Sequence, residues 1–421
     1  MLRPFRPLLE NPETRTFLSG VLIFGVAAGL FNGVLNNYLH GILRITRLER
    51  GIVEVPRELP GLLLFVLVAA LYRFSELRIM HVAMLFSLVG LAGLSFFGTL
   101  RAPAIILIVL WSTGEHLLMP LRQSMAIHIA GPGREGLAMG GVSSLSNAGT
   151  VAGYYLVPLL LLFVGVANPS ASAFAPYATV FAAGTLVLLA ATLLFASLKP
   201  RGERIRRERL QFRRKFLKYY FLEVFFGARK QVFITFAPYV LIMSYGAGPA
   251  LISSLQGITS LGNIAFGPAL GRLMDRVGYR RIIVIDAALQ IPVCLCYGFA
   301  HRVLPHTIAY IVICIVFVVD ALLFAVGMAR ALYARTLSSG QDEITSTLST
   351  GISINHLVSI LIAVAGGLLW EVLGTEALFS IAAFFGLCSF LFSLTVPAMS
   401  PSRASDALAS GARSVASGGR P

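Results

Sequence analysis

Nine charged residues lie inside otherwise apolar stretches of this sequence: Glu54, Arg57, Glu58, Glu115, Arg122, Arg229, Lys230, Asp320 and Arg330. A carboxylate in such a setting can take up and release a proton; a guanidinium or ammonium can hold an anionic group. Each costs about 2.5–3.5 kcal/mol if it faces lipid at mid-depth, so these side chains must face a cavity or one another. Glu115 and Arg122 are seven residues apart, two turns along one helix face and about 10 Å along its axis. They can share a wall but cannot touch, and His116 and Gln123 form a parallel stripe. Either Glu115 accepts protons above a substrate-binding Arg122, with His116 as a further proton group, or both pair with neighbouring helices. Asp320 is the second candidate for protonation.

Arg229 and Lys230 are adjacent, so they point about 100° apart. One is expected to enter a central cavity and the other to meet an acid on a flanking helix. With Arg122 and Arg330 they are the candidate substrate-binding cations. Glu54, Arg57 and Glu58 stand at i, i+3 and i+4, where they pair locally as a gating or structural ion set. Asn32 and Asn36 share a helix face. Together with Asn147 and Asn355 they fit either solute hydrogen bonding or interhelical contacts worth about 0.6 kcal/mol each. His356, beside Asn355, is a titratable or a structural histidine.

The polar positions recur. Arg122, Glu135 and Asn147 are matched by Arg330, Glu343 and Asn355, each pair 208 residues apart, and a register of 203 pairs Arg73 with Arg276 and Arg78 with Arg281. Matched ionisable groups in two similar halves point to a duplicated membrane domain with a site between its halves.

The elements that carry these residues are written in the composition. The chain has 421 residues, 57% hydrophobic and 13% charged, with mean hydropathy +0.80, against about 25% charged in soluble proteins. About twelve stretches approach the roughly 20 apolar residues that a spanning helix needs: 16–42, 51–72, 79–98, 103–130, 137–163, 174–198, 217–243, 248–272, 281–300, 306–336, 343–370 and 376–398. The first is too long for a signal-peptide core and is expected to be retained. Cys294, Cys296, Cys314 and Cys388 all fall inside stretches and suggest apolar filling rather than disulfides. The net charge of +15 is concentrated between Lys199 and Lys218 and in short connectors at Arg73/Arg78, Arg134, Arg276/Arg280/Arg281 and Arg335. That distribution excludes nucleic acid as the partner. It predicts cytoplasmic connectors and cytoplasmic termini, with Arg44, Arg47 and Arg50 as an external exception, and contact of the central basic segment with membrane lipid headgroups. The expected organisation is 1–198 as one six-helix bundle, 199–218 as a basic linker, 219–398 as a second bundle, and 399–421 as a Ser/Ala/Gly/Arg tail that cannot bury a core.

One connector reads Gly271-Arg-Leu-Met-Asp275-Arg276-Val-Gly278-Tyr-Arg280-Arg281. This resembles the signature loop of the major facilitator superfamily, Gly-x-Leu-x-Asp-Arg-x-Gly-x-Arg-Arg. The equivalent segment of the first half, Leu71-Tyr-Arg73-Phe-Ser-Glu76-Leu-Arg78, keeps the basic residues but lacks the Asp and both glycines. The resemblance implies an all-α integral membrane fold of about twelve helices in two pseudo-symmetric six-helix bundles, rocking about a midplane site. It also implies a gating role for the loop, with Asp275 latching one conformation and Gly271 allowing close helix contact. No enzyme constellation, phosphate loop or cofactor motif is visible, and Glu115-His116 lacks a third metal ligand at helical spacing. The expected function is secondary transport of a small anionic or zwitterionic solute, coupled to protons through Glu115 or Asp320, by a monomer in the inner (cytoplasmic) membrane. The alternatives are an exporter of amphiphilic compounds and a receptor on the same fold.

Overall fold

The computed structural model describes residues 10–63, 74–130, 135–168, 170–198, 212–339 and 341–398. Twelve α-helices run through these residues: α1 (Pro12–Gly41), α2 (Arg47–Leu62), α3 (Glu76–Phe97), α4 (Arg101–Ala130), α5 (Glu135–Ala167), α6 (Ala175–Ala196), α7 (Leu217–Tyr245), α8 (Pro249–Val277), α9 (Tyr279–Val303), α10 (His306–Leu323), α11 (Gly327–Leu337) and α12 (Gln341–Ser393). Among them, eight are long and apolar enough to cross a membrane. Most of the linker (199–211), the tail (399–421), Arg73 and Arg134 lie outside the described residues, as does the side chain of Glu135.

Local chemistry sets the ends. The Asn11 carboxamide oxygen accepts the Glu13 amide at 2.9 Å and caps α1. Thr46 and Glu49 form a reciprocal capping box that starts α2, satisfying two amides with no partner inside the helix. This cap corrects the expectation for Arg47 and Arg50: α2 begins four residues before the predicted stretch, so both lie in its first turns and not in an external connector. Arg50 is buried. The tenth predicted stretch is broken by a 3-10 turn at Phe324–Val326, just after Asp320, into α10 and α11. The last two predicted stretches form one long element that bends at Gly374, where φ is 86°.

Helix pairing repeats between the halves. In the first, α1 packs on α5 and α6, and α3 on α4; in the second, α7 and α9 pack on α12. The halves meet along α2–α12 and α5–α8. Backbones touch at the first seam: a Cβ on Gly51 would lie 2.0 Å from the Ala363 carbonyl oxygen, so only glycine admits that approach. At the end of the bundle carrying the α1–α2 turn, the Tyr239 hydroxyl donates to the Ile45 carbonyl at 3.2 Å, and the Asn37 amide donates to the Ala247 carbonyl at 2.8 Å. Nearby the Ser253 hydroxyl donates to the Tyr154 carbonyl at 2.6 Å.

Candidate functional site

The polar residues resolve into three groups. The first ties α1, α2 and α7 together. Glu54 is fully buried and accepts from Arg50 and, at 2.5 Å, from Arg57. Arg50 also donates to the Asn36 carboxamide oxygen from Nε and Nη2, at 3.3 and 3.2 Å. Gln231 donates to Glu54 at 3.4 Å and to the Thr235 hydroxyl at 2.7 Å. The expected local pairing of Glu54 with Arg57 is present. Asn36 is held by Arg50 and is therefore not open to a solute.

The second group crosses between the halves. Glu58 turns away from Arg57 and meets His356 Nδ1 on α12 at 2.8 Å. The His356 ring lies edge-on to His116 of α4, with centroids 5.4 Å apart. On the other side, the Lys230 ammonium donates to the Asn355 carboxamide oxygen at 2.5 Å. Asn355 donates to Glu223 at 3.4 Å, and Glu223 accepts from Arg330 Nε at 2.8 Å. Arg330 also lies over the Phe226 ring, 3.6 Å from its centroid. Arg330 is thus a buried member of an ion pair, contrary to its expected role as an open substrate-binding cation.

The third group lies within the second half. Arg229 is fully buried and ion-paired with Asp320, ringed by Phe226, Phe233 and Phe324 at 5.6, 5.7 and 5.2 Å. Of the adjacent cations, Arg229 is therefore the one that meets an acid on a flanking helix, and Lys230 is the one that reaches the seam. Asp320 also lines a cavity of about 200 Å³, with Tyr154 of α5, Phe233 of α7, and Gln256, Thr259 and Ser260 of α8.

Glu115 and Arg122 both lie on α4, within electrostatic reach of each other. Glu115 is half-buried and makes no hydrogen bond; Arg57, Arg122 and Tyr154 are within its electrostatic reach. Arg122 donates weakly to the Ser146 hydroxyl at 3.3 Å and lies over the Phe24 ring. Asn32 is half-buried and Asn147 exposed, and neither makes a side-chain hydrogen bond. The 208-residue repeat therefore differs in chemistry. Arg330 has a carboxylate where Arg122 has a hydroxyl, and Glu343 binds the linker at the bundle surface. Glu343 accepts from Lys215 at 2.7 Å and Arg213 at 2.5 Å, and from the Ser339 amide at 2.7 Å. The Lys215 ammonium first, then that amide and Arg213, hold its carboxyl down at about 2.

The signature loop is only partly in its expected role. Gly278, at φ 81°, makes the turn between α8 and α9, and Arg280 donates to the Leu394 carbonyl at 2.8 Å. Asp275, Arg276 and Arg281 are exposed and make no hydrogen bond among the described residues. Gly271 faces open space and not a close helix contact.

Sequence reasoning passed over Glu223 and Asp286 and placed Arg50 outside. Asp286 is buried, accepts from Gln290 at 2.7 Å, and has its other oxygen unpartnered. Glu223 was legible as the residue seven before Lys230, two turns along one face. With these included, the buried charged side chains among the described residues are Arg50, Arg229 and Arg330 with Glu54, Glu58, Glu76, Glu223, Asp286 and Asp320.

Comparison with known proteins agrees with this architecture. Residues 219–418 match the family model described as Major Facilitator Superfamily. No curated protein sequence matches the chain. Among solved structures, the nucleoside transporter NupG superposes with a TM-score of 0.71 at 12% identity, covering 92% of this chain and 98% of its own. A bacterial homologue of the iron transporter ferroportin, in an inward-facing state, gives 0.70 at 13%, covering 90% and 97%. A D-xylose–proton symporter gives 0.68 at 13%, covering 91% and 96%. With the twelve helices, the paired halves and the Gly271–Arg281 loop, these matches give the chain the fold of these transporters, and its second half matches the major facilitator superfamily.

Proposed function

We propose that this transporter carries a small solute bearing an anionic group, most readily a zwitterion, by alternating access coupled to protons. The observation that carries this reading is Lys230. Its ammonium sits at the seam between halves, half-buried and hydrogen-bonded to an amide oxygen, whereas Arg229 and Arg330 are each bonded to a carboxylate. An ammonium in a low-dielectric site gains from a carboxylate or phosphate partner. Arg122, bonded only to a hydroxyl, is the second anchor. Glu115 is the proposed proton carrier, because among the described residues no hydrogen-bond donor holds its carboxylate. Asp320 is next to it in this role, lining the cavity but tied to Arg229.

The two bundles are proposed as 1–198 and 219–398, joined by 199–218, with both termini in the cytoplasm of a cell whose inner membrane holds the chain. In that orientation the α1–α2 turn is external. The Tyr239–Ile45, Asn37–Ala247 and Gly51–Ala363 contacts then close the outer side. A D-xylose–proton symporter among the fold neighbours is in keeping with proton coupling.

The test is thermal stabilisation of purified full-length protein by a panel of zwitterions, anions, neutral polar solutes and cationic amphiphiles. A zwitterion or anion is expected to stabilise the wild type and to bind roughly 10–150-fold more weakly to Lys230→Met, the equivalent of losing a charged hydrogen bond of about 1.5–3 kcal/mol. Stabilisation by amphiphiles alone, unchanged in the variant, would contradict the reading and favour an amphiphile exporter.

A further inference from the structure

Three metal-ligating side chains that solute binding does not use converge where the halves meet. Glu58 of α2, His116 of α4 and His356 of α12 each place one ligand atom so that all three lie within 4.8 Å of one another. The sequence hid this set, because its members come from three helices and span almost 300 residues.

The tautomers are set by neighbours. His116 Nδ1 lies 2.8 Å from the Ser112 carbonyl oxygen, which can only accept. In the neutral ring Nδ1 therefore carries the hydrogen and Nε2 offers a lone pair. His356 Nδ1 faces the Glu58 carboxylate at 2.8 Å, so Nδ1 is the His356 nitrogen placed beside Glu58 for an ion that displaces the proton between them. A carbonyl behind the His116 imidazole is the arrangement that orients metal-bound histidines and raises their basicity.

A separate observation points to the same spot. A Cβ on Gly61 would lie 2.6 Å from His116 Cδ2, 2.8 Å from His116 Nε2 and 2.6 Å from His356 Cε1. His116 Nε2 and the Cε1 corner of His356 thus face a residue that has no side chain.

We propose that His116, His356 and Glu58 form a site for a first-row divalent metal ion, with Zn²⁺ as its probe, that staples the two halves of the transporter together. Two imidazoles and a carboxylate form a three-ligand set with an open fourth position. Ligand atoms about 2.0–2.1 Å from a tetrahedral zinc are about 3.3 Å apart. Occupation therefore holds the conformation in which the rings face each other. Lys230 lies within electrostatic reach of Glu58. Its charge disfavours hard ions held by charge alone, such as Mg²⁺ and Ca²⁺, more than ions that bond imidazole nitrogen.

The test needs no knowledge of the solute. Full-length protein in detergent is titrated with Zn²⁺ against a chromogenic zinc indicator, with the Zn²⁺-induced shift in Tm measured alongside. One Zn²⁺ per chain is expected, with affinity lowered at least tenfold in both His116→Ala and His356→Ala and unchanged in His306→Ala. Gly61→Ala should also weaken it, and millimolar Mg²⁺ should not compete. The conservative variants His116→Asn and His356→Gln, checked for monodispersity and unliganded Tm, separate ligand loss from misfolding. Absence of Zn²⁺ binding, or affinities within twofold of wild type in properly folded His116 and His356 variants, overturns the proposal.

Discussion

At the scale of single residues, the structure divides buried charges into those that hold the protein together and those left to act. Arg229 and Asp320 belong to the first kind. Removing one partner leaves a bare charge among three phenylalanine rings, a change that costs roughly 3–5 kcal/mol, whereas replacing both by apolar residues is often near neutral. Asp320→Asn is therefore expected to lower Tm strongly. The double variant Arg229→Met/Asp320→Leu should recover most of the loss in the same thermal scan. Equal destabilisation by single and double variants would show that the pair contributes little through its charges. Lys230 is of the second kind: Lys230→Met is expected to leave Tm nearly unchanged while weakening solute binding roughly 10–150-fold.

At the scale of elements, the strongest surface contact is the clamp of Glu343, at the start of α12, on Arg213 and Lys215 before α7. Its carboxyl is held down at about 2, below the usual carboxylate value near 4.3. A depressed folded-state value means the clamp's contribution is complete above about pH 4.5 and is lost as pH falls towards 2. Limited proteolysis around residue 212 should accelerate over that window, and Glu343→Gln should give the fast rate already at neutral pH. A wild-type cleavage rate flat across the window would show that the clamp does not hold the linker. At the α2–α12 seam, Gly51→Leu is expected to force the helices apart. It should expose the seam to a thiol reagent acting on a cysteine placed at Ala363, with the native cysteines replaced.

Helix number and the repeat were legible because a bilayer demands long apolar runs and a duplication preserves spacing. The seam was not. Which face of α2 meets α12 depends on tertiary packing, so the sequence grouped Glu58 in a local set with Glu54 and Arg57, whereas it pairs with His356 almost 300 residues away. The start of α2 was missed because the Thr46 cap lies outside the apolar run that marked the helix. Arg229 and Lys230 were correctly read as pointing apart, yet nothing local said which of them would meet Asp320.

At the scale of the whole molecule, the halves are joined at the end bearing the α1–α2 turn, and alternating access requires those contacts to open. Asn37→Cys with Ala247→Cys, in a background without native cysteines, is expected to cross-link when oxidised and to stop transport until reduced. Continued transport by the cross-linked protein would show that this end does not open. The central claim is that the halves carry an anionic or zwitterionic solute together with protons, using Lys230 and Glu115. Its most direct measurement is solute-driven proton entry into proteoliposomes loaded with a pH-sensitive dye, using the solute found by thermal stabilisation. The account predicts acidification of the lumen with wild-type protein and none with Lys230→Met or Glu115→Gln. Solute uptake with no proton movement, or acidification undiminished in both variants, would contradict it.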